Sequence, residues 1–311
     1  MKDKIVQLSK ILISIFLMYL LIRQIDYKEF KEALANINVL GIVVVVIAYL
    51  FSIIVNALKW KVLLPETQLT FLIVLCFRAQ FYATVLPGQL FGEASKVTVW
   101  NNRDEDISEI AASVIFDKIT GIIGQIIIGV ISIYLSSKAN IISYKWLLIV
   151  LVGLGVFCIY ISSERHFSII IKKLFRQIVK INNSFGNKLI EFYDAWYYFA
   201  TKKGVLIRSI LWGIFNQTSG IVSVWILSTT MGLKVGFIEY CWIIPLMSVI
   251  LLLPVSFAGV GLRDTSMASM LSIFDVNKGR SLVITMSMLM AQIVAALIGG
   301  LYVIKKSIEK T

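Results

Sequence analysis

The sequence has few of the residues that commonly carry enzyme chemistry or bind metals. His166 is the single histidine among 311 residues, which leaves little material for a Ser-His-Asp triad or a histidine-rich metal site. The three cysteines, Cys76, Cys158 and Cys241, are isolated in apolar stretches and form no CxxC motif, so neither a zinc site nor a disulfide framework is indicated. No glycine-rich phosphate-binding motif occurs in the required context. We therefore expect no cofactor and no nucleotide-driven pump within this chain.

Charged residues are scarce as well. They make up 15% of the chain against 58% hydrophobic residues, and the mean hydropathy is +0.85. Globular proteins have about 25% charged and about 45–50% apolar residues. The apolar residues also come in long blocks, which predicts an all-α polytopic integral membrane protein. We attribute the net charge of +12 to the positive-inside rule and to contact with anionic headgroups, and expect no nucleic-acid partner.

Six apolar segments are candidates for full membrane spans, each of which needs about 20 residues in a helix. They cover residues 5–22, 39–58, 107–135, 146–161, 205–231 and 281–304. The first has no small-residue cleavage site behind it, so we expect a retained anchor rather than a signal peptide. Two shorter segments, 71–85 and 240–253, end at Leu-Pro sequences, and we expect them to form re-entrant hairpins.

The middle of the chain, residues 162–204, has a different composition. Apolar residues recur there at helical spacing with basic residues between them, which predicts an amphipathic helix in the plane of the headgroups. Its role is either anchoring or headgroup binding. Between positions 162 and 203 the basic residues are Arg165, Lys172, Lys173, Arg176, Lys180, Lys188, Lys202 and Lys203, against Glu164, Glu191 and Asp194.

The distribution of basic residues also predicts an orientation. The basic middle segment and both termini should face the cytoplasm, and Lys59 and Lys61 should flank the cytoplasmic end of the second span. The predicted sides of all the loops agree only if the hairpin around Pro87 opens to the cytoplasm and the hairpin around Pro254 opens to the exterior. We expect the protein to lie in the bacterial cytoplasmic membrane.

The two interrupted segments resemble each other. Residues 86–96 are LPGQLFGEASK and residues 253–264 are LPVSFAGVGLRD. Each has Leu-Pro, four residues and a glycine, followed by a basic residue with an acidic one nearby. Such pairs of broken segments point to a transporter's binding site, here between inverted repeats at about 39–135 and 205–304. The alternative is that the segments are packing kinks with charges at the membrane interface.

The residue types suggest roles at such a site. Lys96 and Arg263 are candidates to bind a phosphate, which the free N–H groups of a half-helix would also attract, while Glu93 and Asp264 balance the two cations. Asp117 and Lys118 lie in the following span, where ionisable residues are costly and usually functional. The expected hinge residues are Pro87, Gly88, Gly92, Pro254, Gly259 and Gly261.

Four stretches of the chain resemble a known family in order and spacing. They are residues 56–64, the 86–96 motif, residues 112–118 and residues 254–263. The chain resembles the flippase-like transmembrane domain of the lysylphosphatidylglycerol synthase/flippase family over nearly its whole length. Lysine stands at positions 59, 61 and 118, where arginine is common in the family, and Asp264 stands where glutamate is frequent. The resemblance implies a protein that moves or binds anionic or glycosylated lipids. We expect no tRNA-dependent lysine transfer, because the family's soluble transferase domain is absent from the sequence.

Three functions remain open from the sequence. The leading hypothesis is a translocase for an anionic phospholipid or a polyprenyl-phosphate-linked saccharide. The second is a membrane-embedded transferase with Glu93, Asp117 or Asp264 as general base, although enzymatic activity is the less favoured reading. The third is a lipid-binding partner of a separate synthase or glycosyltransferase, and a homo-oligomer is possible in each case.

Overall fold

The computed structural model describes residues 39–85, 90–100, 107–136, 153, 164–251 and 259–308. Within these ranges the chain is helical and contains no strand, as the composition predicts. The expected span 5–22, the expected span 146–161 apart from residue 153, and the hinge positions Pro87, Gly88 and Pro254 lie outside the described residues.

Ten α-helices occupy the described residues, together with a 3₁₀ turn at Ser272–Phe274. The helices are α1 (Val39–Lys61), α2 (Leu69–Val85), α3 (Leu90–Trp100), α4 (Ile107–Leu135), α5 (Arg165–Ile181), α6 (Asn183–Thr201), α7 (Lys203–Thr230), α8 (Phe237–Ile250), α9 (Leu262–Leu271) and α10 (Lys278–Ile308).

Four of these helices are long and apolar enough to cross a membrane. They are α1, α4, α7 and α10, and each contains one of the predicted spans. The shorter apolar helices α2 and α8 correspond to the two interrupted segments. The chain is therefore an all-α, multi-pass membrane protein.

The basic middle segment forms two packed helices rather than one. α5 is strongly amphipathic, and Phe167, Ile170 and Leu174 on it are exposed. Asn182 ends this helix and its side chain accepts a hydrogen bond from the N–H of Phe185, which caps the start of α6. The aromatic residues of α6 are partly in the core, because Phe199 packs against Phe116 of α4. Hydrophobic periodicity predicts α5, but it did not predict that α6 docks on a span.

The helix contacts are symmetric between the first four helices and the last four. α1 packs against α7, α2 against α10 and α4 against α8. When the first four helices are exchanged in order with the last four, the contact of α1 with α10 becomes the contact of α7 with α4, which is also present. The contacts between neighbouring helices of one half likewise have counterparts in the other half. Two repeats related by a two-fold axis would produce this pattern. The inverted direction of the repeats in the membrane stays a prediction.

Several of these contacts rely on glycine. A Cβ atom added at Gly299 of α10 would lie 2.0 Å from the carbonyl oxygen of Phe77 on α2. One added at Gly124 of α4 would lie 3.0 Å from the backbone nitrogen of Ile214 on α7. Small residues let membrane helices approach closely, and this closeness provides dispersion contacts where lipid offers no hydrophobic driving force.

We predict that Gly299→Ala destabilises the protein by about 1–3 kcal/mol, because α2 and α10 must separate to admit the methyl group. The measurement is the midpoint of thermal unfolding in detergent. Gly220→Ala in α7 is the matched control, since an added Cβ there meets nothing within 4 Å. It should be neutral, or stabilising by up to about 1 kcal/mol through helix propensity. Equal midpoints for the two variants would contradict the described contact.

Candidate functional site

A buried ion pair joins α1 to α4. The Nζ atom of Lys59 lies 3.0 Å from Oδ1 of Asp117, with the two side chains 3% and 7% exposed, and it also donates to the backbone carbonyl of Asp117. Gly121 and Gly213 make room for this lysine, because a Cβ added at Gly121 would lie 3.0 Å from its Nζ. Lys59 is therefore inside the protein, in the last turn of α1, and its predicted place at the cytoplasmic end of the second span stays a prediction.

A second group of charges lies on α3 and α4. Lys96 is 2% exposed, and its Nζ is 2.8 Å from Oε2 of Glu93, one turn away on the same helix. The Nζ of Lys118 lies 4.0 Å from the other oxygen of Glu93. The ammonium of Lys96 also lies 5.0 Å from the ring centroid of Trp60, whose indole N–H donates to Ser113. The carboxylate of Glu93 thus has two cations around it.

Both groups of charges line one cavity among α1, α2, α3, α4 and α7, with a volume of about 260 Å³. Three lysines and two carboxylates give its wall one unit of net positive charge. The remaining polar wall is neutral, and is formed by Tyr49, Ser52, Asn56, Gln80, Gln125, Asn216 and Gln217.

A second cavity of about 180 Å³ lies further along α1 and α7 and also contacts α8 and α10. It is more apolar, with Val45, Ile244 and Met247 in its wall. Both cavities are bounded by the same four residues: Tyr49 and Ser52 of α1, and Asn216 and Gln217 of α7.

The second broken segment places its charged residues differently from the first. Arg263 and Asp264 are 2% and 4% exposed. A guanidinium NH1 donates to the side-chain oxygen of Gln292 on α10 at 3.1 Å, and Gln292 lines the second cavity. The Asp264 carboxylate accepts from the N–H of Gly261 at 2.9 Å and lies 3.9 Å from Nε of Arg263.

The start of α9 therefore differs from the expected open anion site. The Gly261 N–H is bonded to Asp264, and the Arg263 N–H is bonded to the carbonyl of Gly259. Gly259 and Gly261 have φ values of 78° and 80°, a left-handed conformation that favours glycine. Gly92 differs from them: it is helical and lies against Ala79, whose carbonyl oxygen would be 2.5 Å from an added Cβ.

The structure thus brings four of the predicted site residues together and holds two apart. Glu93, Lys96, Asp117 and Lys118 share the first cavity, whereas Arg263 and Asp264 lie in the other half of the molecule. Among the described ranges, no group of three or more histidine, cysteine or acidic residues is arranged to hold a metal ion.

Sequence reasoning missed Lys59 and the neutral polar wall. A usable signal existed, because Tyr49, Ser52, Asn56 and Lys59 are spaced by three, four and three positions. This spacing places them on one face of a helix that is otherwise apolar. On α7, Asn216, Gln217, Gly220 and Ser223 form a corresponding face.

We predict that Lys59→Met and Asp117→Asn each destabilise the protein by about 3–5 kcal/mol, since each leaves a buried charge without its partner. The double variant should recover a large part of the loss, as measured by thermal unfolding in detergent. Lys172 and Asp194 are the control pair: they lie closer, at 2.5 Å, but are 34% and 49% exposed. Their single variants should cost less than about 1 kcal/mol. Equal losses for both pairs would show that burial does not govern the effect.

Comparison with protein families gives one match. The model of the lysylphosphatidylglycerol synthase transmembrane region matches residues 7–301. No curated protein and no solved structure matches the sequence significantly. The family match includes every helix of both cavities and nearly the whole chain. The chain therefore belongs to the family of the lysylphosphatidylglycerol synthase transmembrane region, and its function is related to membrane lipids.

Proposed function

We propose that the protein is a translocase that moves a lipid with an anionic headgroup across the membrane. The observation that carries this proposal is the positively charged, polar cavity whose wall includes three helices long and apolar enough to span a bilayer, α1, α4 and α7. Ionisable residues are costly at such depth and usually mark substrate pathways. A lipid phosphate with one negative charge would neutralise the net charge of the cavity wall.

Lys96 is the residue proposed to contact the phosphate first. Its ammonium lines the cavity and is held by Glu93 in the absence of substrate. An entering phosphate would replace Glu93 as the partner of Lys96, and Glu93 would keep Lys118 as a counter-ion at 4.0 Å. The exchange leaves no buried charge unpaired, which keeps its electrostatic cost low.

The polar faces of α1 and α7 provide a route for the headgroup. Residues of these faces line the first cavity, the boundary between the two cavities and the second cavity. The acyl chains would stay in the bilayer while the headgroup moves between the two helices. In this mechanism Arg263 acts near the second cavity through Gln292, and the glycine-rich turn at Gly259 and Gly261 serves as a hinge.

Each of the three carboxylates has a cation or a backbone N–H beside it. Glu93 and Asp117 lie next to lysines, and Asp264 accepts from a backbone N–H and lies near Arg263. These pairings fit a role as counter-charges in the proposed translocation.

We predict that Lys96→Ala and Arg263→Ala each slow translocation by about 10- to 100-fold, the effect of losing one charge-assisted hydrogen bond from the transition state. The measurement is the movement of fluorescent phosphatidylglycerol in proteoliposomes, with a fluorescent polyprenyl phosphate tested in parallel. Phosphatidylcholine, with no net charge, should move slowly in every case. Lys96→Arg and Arg263→Lys should keep part of the rate.

Lys234→Gln is the matched control, because it removes one positive charge from an exposed residue. Its rate should equal that of the unchanged protein. Each variant is first shown to be monodisperse with an unchanged unfolding midpoint. Unimpaired translocation by both alanine variants would reject the assigned residues. Lipid that co-purifies with a protein unable to move it would instead indicate a binding partner of another enzyme.

A further inference from the structure

The boundary between the two cavities contains one large side chain. Tyr49 and Ser52 approach it from α1, and Asn216 and Gln217 approach it from α7. Within the described ranges, the side-chain oxygen of Asn216 is buried and has no hydrogen-bond partner. An unpaired amide oxygen at this boundary is costly in a closed state and is suited to a polar group passing through.

Tyr49 is also connected to the second broken segment. Tyr49 and Gln292 of α10 both line the second cavity, and the side-chain oxygen of Gln292 accepts from the guanidinium of Arg263. Arg263 is 2% exposed and follows directly after the turn at Gly259 and Gly261. A chain of three side chains thus links the boundary between the cavities to the glycine-rich turn.

We propose that Tyr49 is the barrier between the two cavities, and that Gln292 and Arg263 hold it closed. This inference rests on the proposed translocation. Only NH1 of the Arg263 guanidinium is bonded to Gln292, and its Nε has no hydrogen-bond partner within the described ranges. In the proposed mechanism a headgroup phosphate that binds the guanidinium draws it away from Gln292, which frees the Tyr49 ring to move.

A native cysteine can report whether this barrier is open or closed. Cys76 lines the first cavity, and the other two cysteines, Cys158 and Cys241, can be replaced by serine. The cavity carries net positive charge, so a membrane-impermeant, anionic methanethiosulfonate is a suitable probe. It is added to right-side-out and to inside-out membrane vesicles containing the full chain.

With Tyr49 intact, Cys76 should be modified from one side of the membrane only. Tyr49→Phe removes the hydroxyl of the ring, and Gln292→Leu removes the acceptor of Arg263; modification from the opposite side should rise by about three- to tenfold in each. Tyr49→Ala removes the ring as well and should give a larger rise. The rate from the first side should stay unchanged, which a general loosening of the fold would not allow.

Tyr134→Phe is the matched control, because it removes the same hydroxyl from an exposed residue of α4. It should not change the side of the membrane from which Cys76 is modified. Gln80→Cys with Cys76→Ser repeats the measurement at a less buried position of the same cavity wall.

Three results would overturn the proposal: equal modification from both sides with Tyr49 intact, unchanged sidedness in the Tyr49 and Gln292 variants, or no modification of either reporter from any side. The probe needs no lipid, so the outcome is independent of the translocation assay. Changed sidedness in a protein that moves no lipid would keep the barrier and reject the translocase. Normal translocation together with unchanged sidedness in the variants would reject the barrier and leave the translocase in place.

Discussion

The ion pair between Lys59 and Asp117 is the constraint around which the described structure is arranged. Two charges in a low-dielectric interior require close partners, and this pair obtains them by bringing α1 and α4 together. The lysine needs space, which Gly121 and Gly213 provide on α4 and α7. The same three helices then form most of the charged cavity. The buried ion pair, the glycine residues beside it and the shape of the cavity therefore depend on one another.

The two broken segments lie in different surroundings although they resemble each other in sequence. The first segment is followed by α3, whose Glu93 and Lys96 pair within one helix and face the charged cavity. The second is followed by α9, whose Asp264 is used to cap its own helix start. The two segments therefore contribute unlike chemistry: one supplies a pair of counter-ions at the charged cavity, and the other supplies a buried guanidinium beside a glycine-rich turn.

The sequence predicted the four long helices of the described ranges well, because apolar length is a local signal. It also selected Glu93, Lys96, Asp117 and Lys118, which share one cavity. It did not select Lys59 as a site residue, since a lysine near the end of an apolar run is ordinarily at the interface, and its partner lies 58 positions away. The packing of helices of one half against helices of the other depends on non-local contacts, for which the sequence has no local signal.

The contact between α2 and α10 has a consequence for biosynthesis. α2 leaves the ribosome about 200 residues before its partner helix, and the carbonyl of Phe77 meets Gly299 only after α10 has been made. Domains generally fold as units during synthesis. Here the packing of each half needs helices of the other half, because α2 packs against α10 and α4 against α8. The nascent chain therefore holds α2, with the buried Arg78, unpartnered by α10 until that helix is inserted.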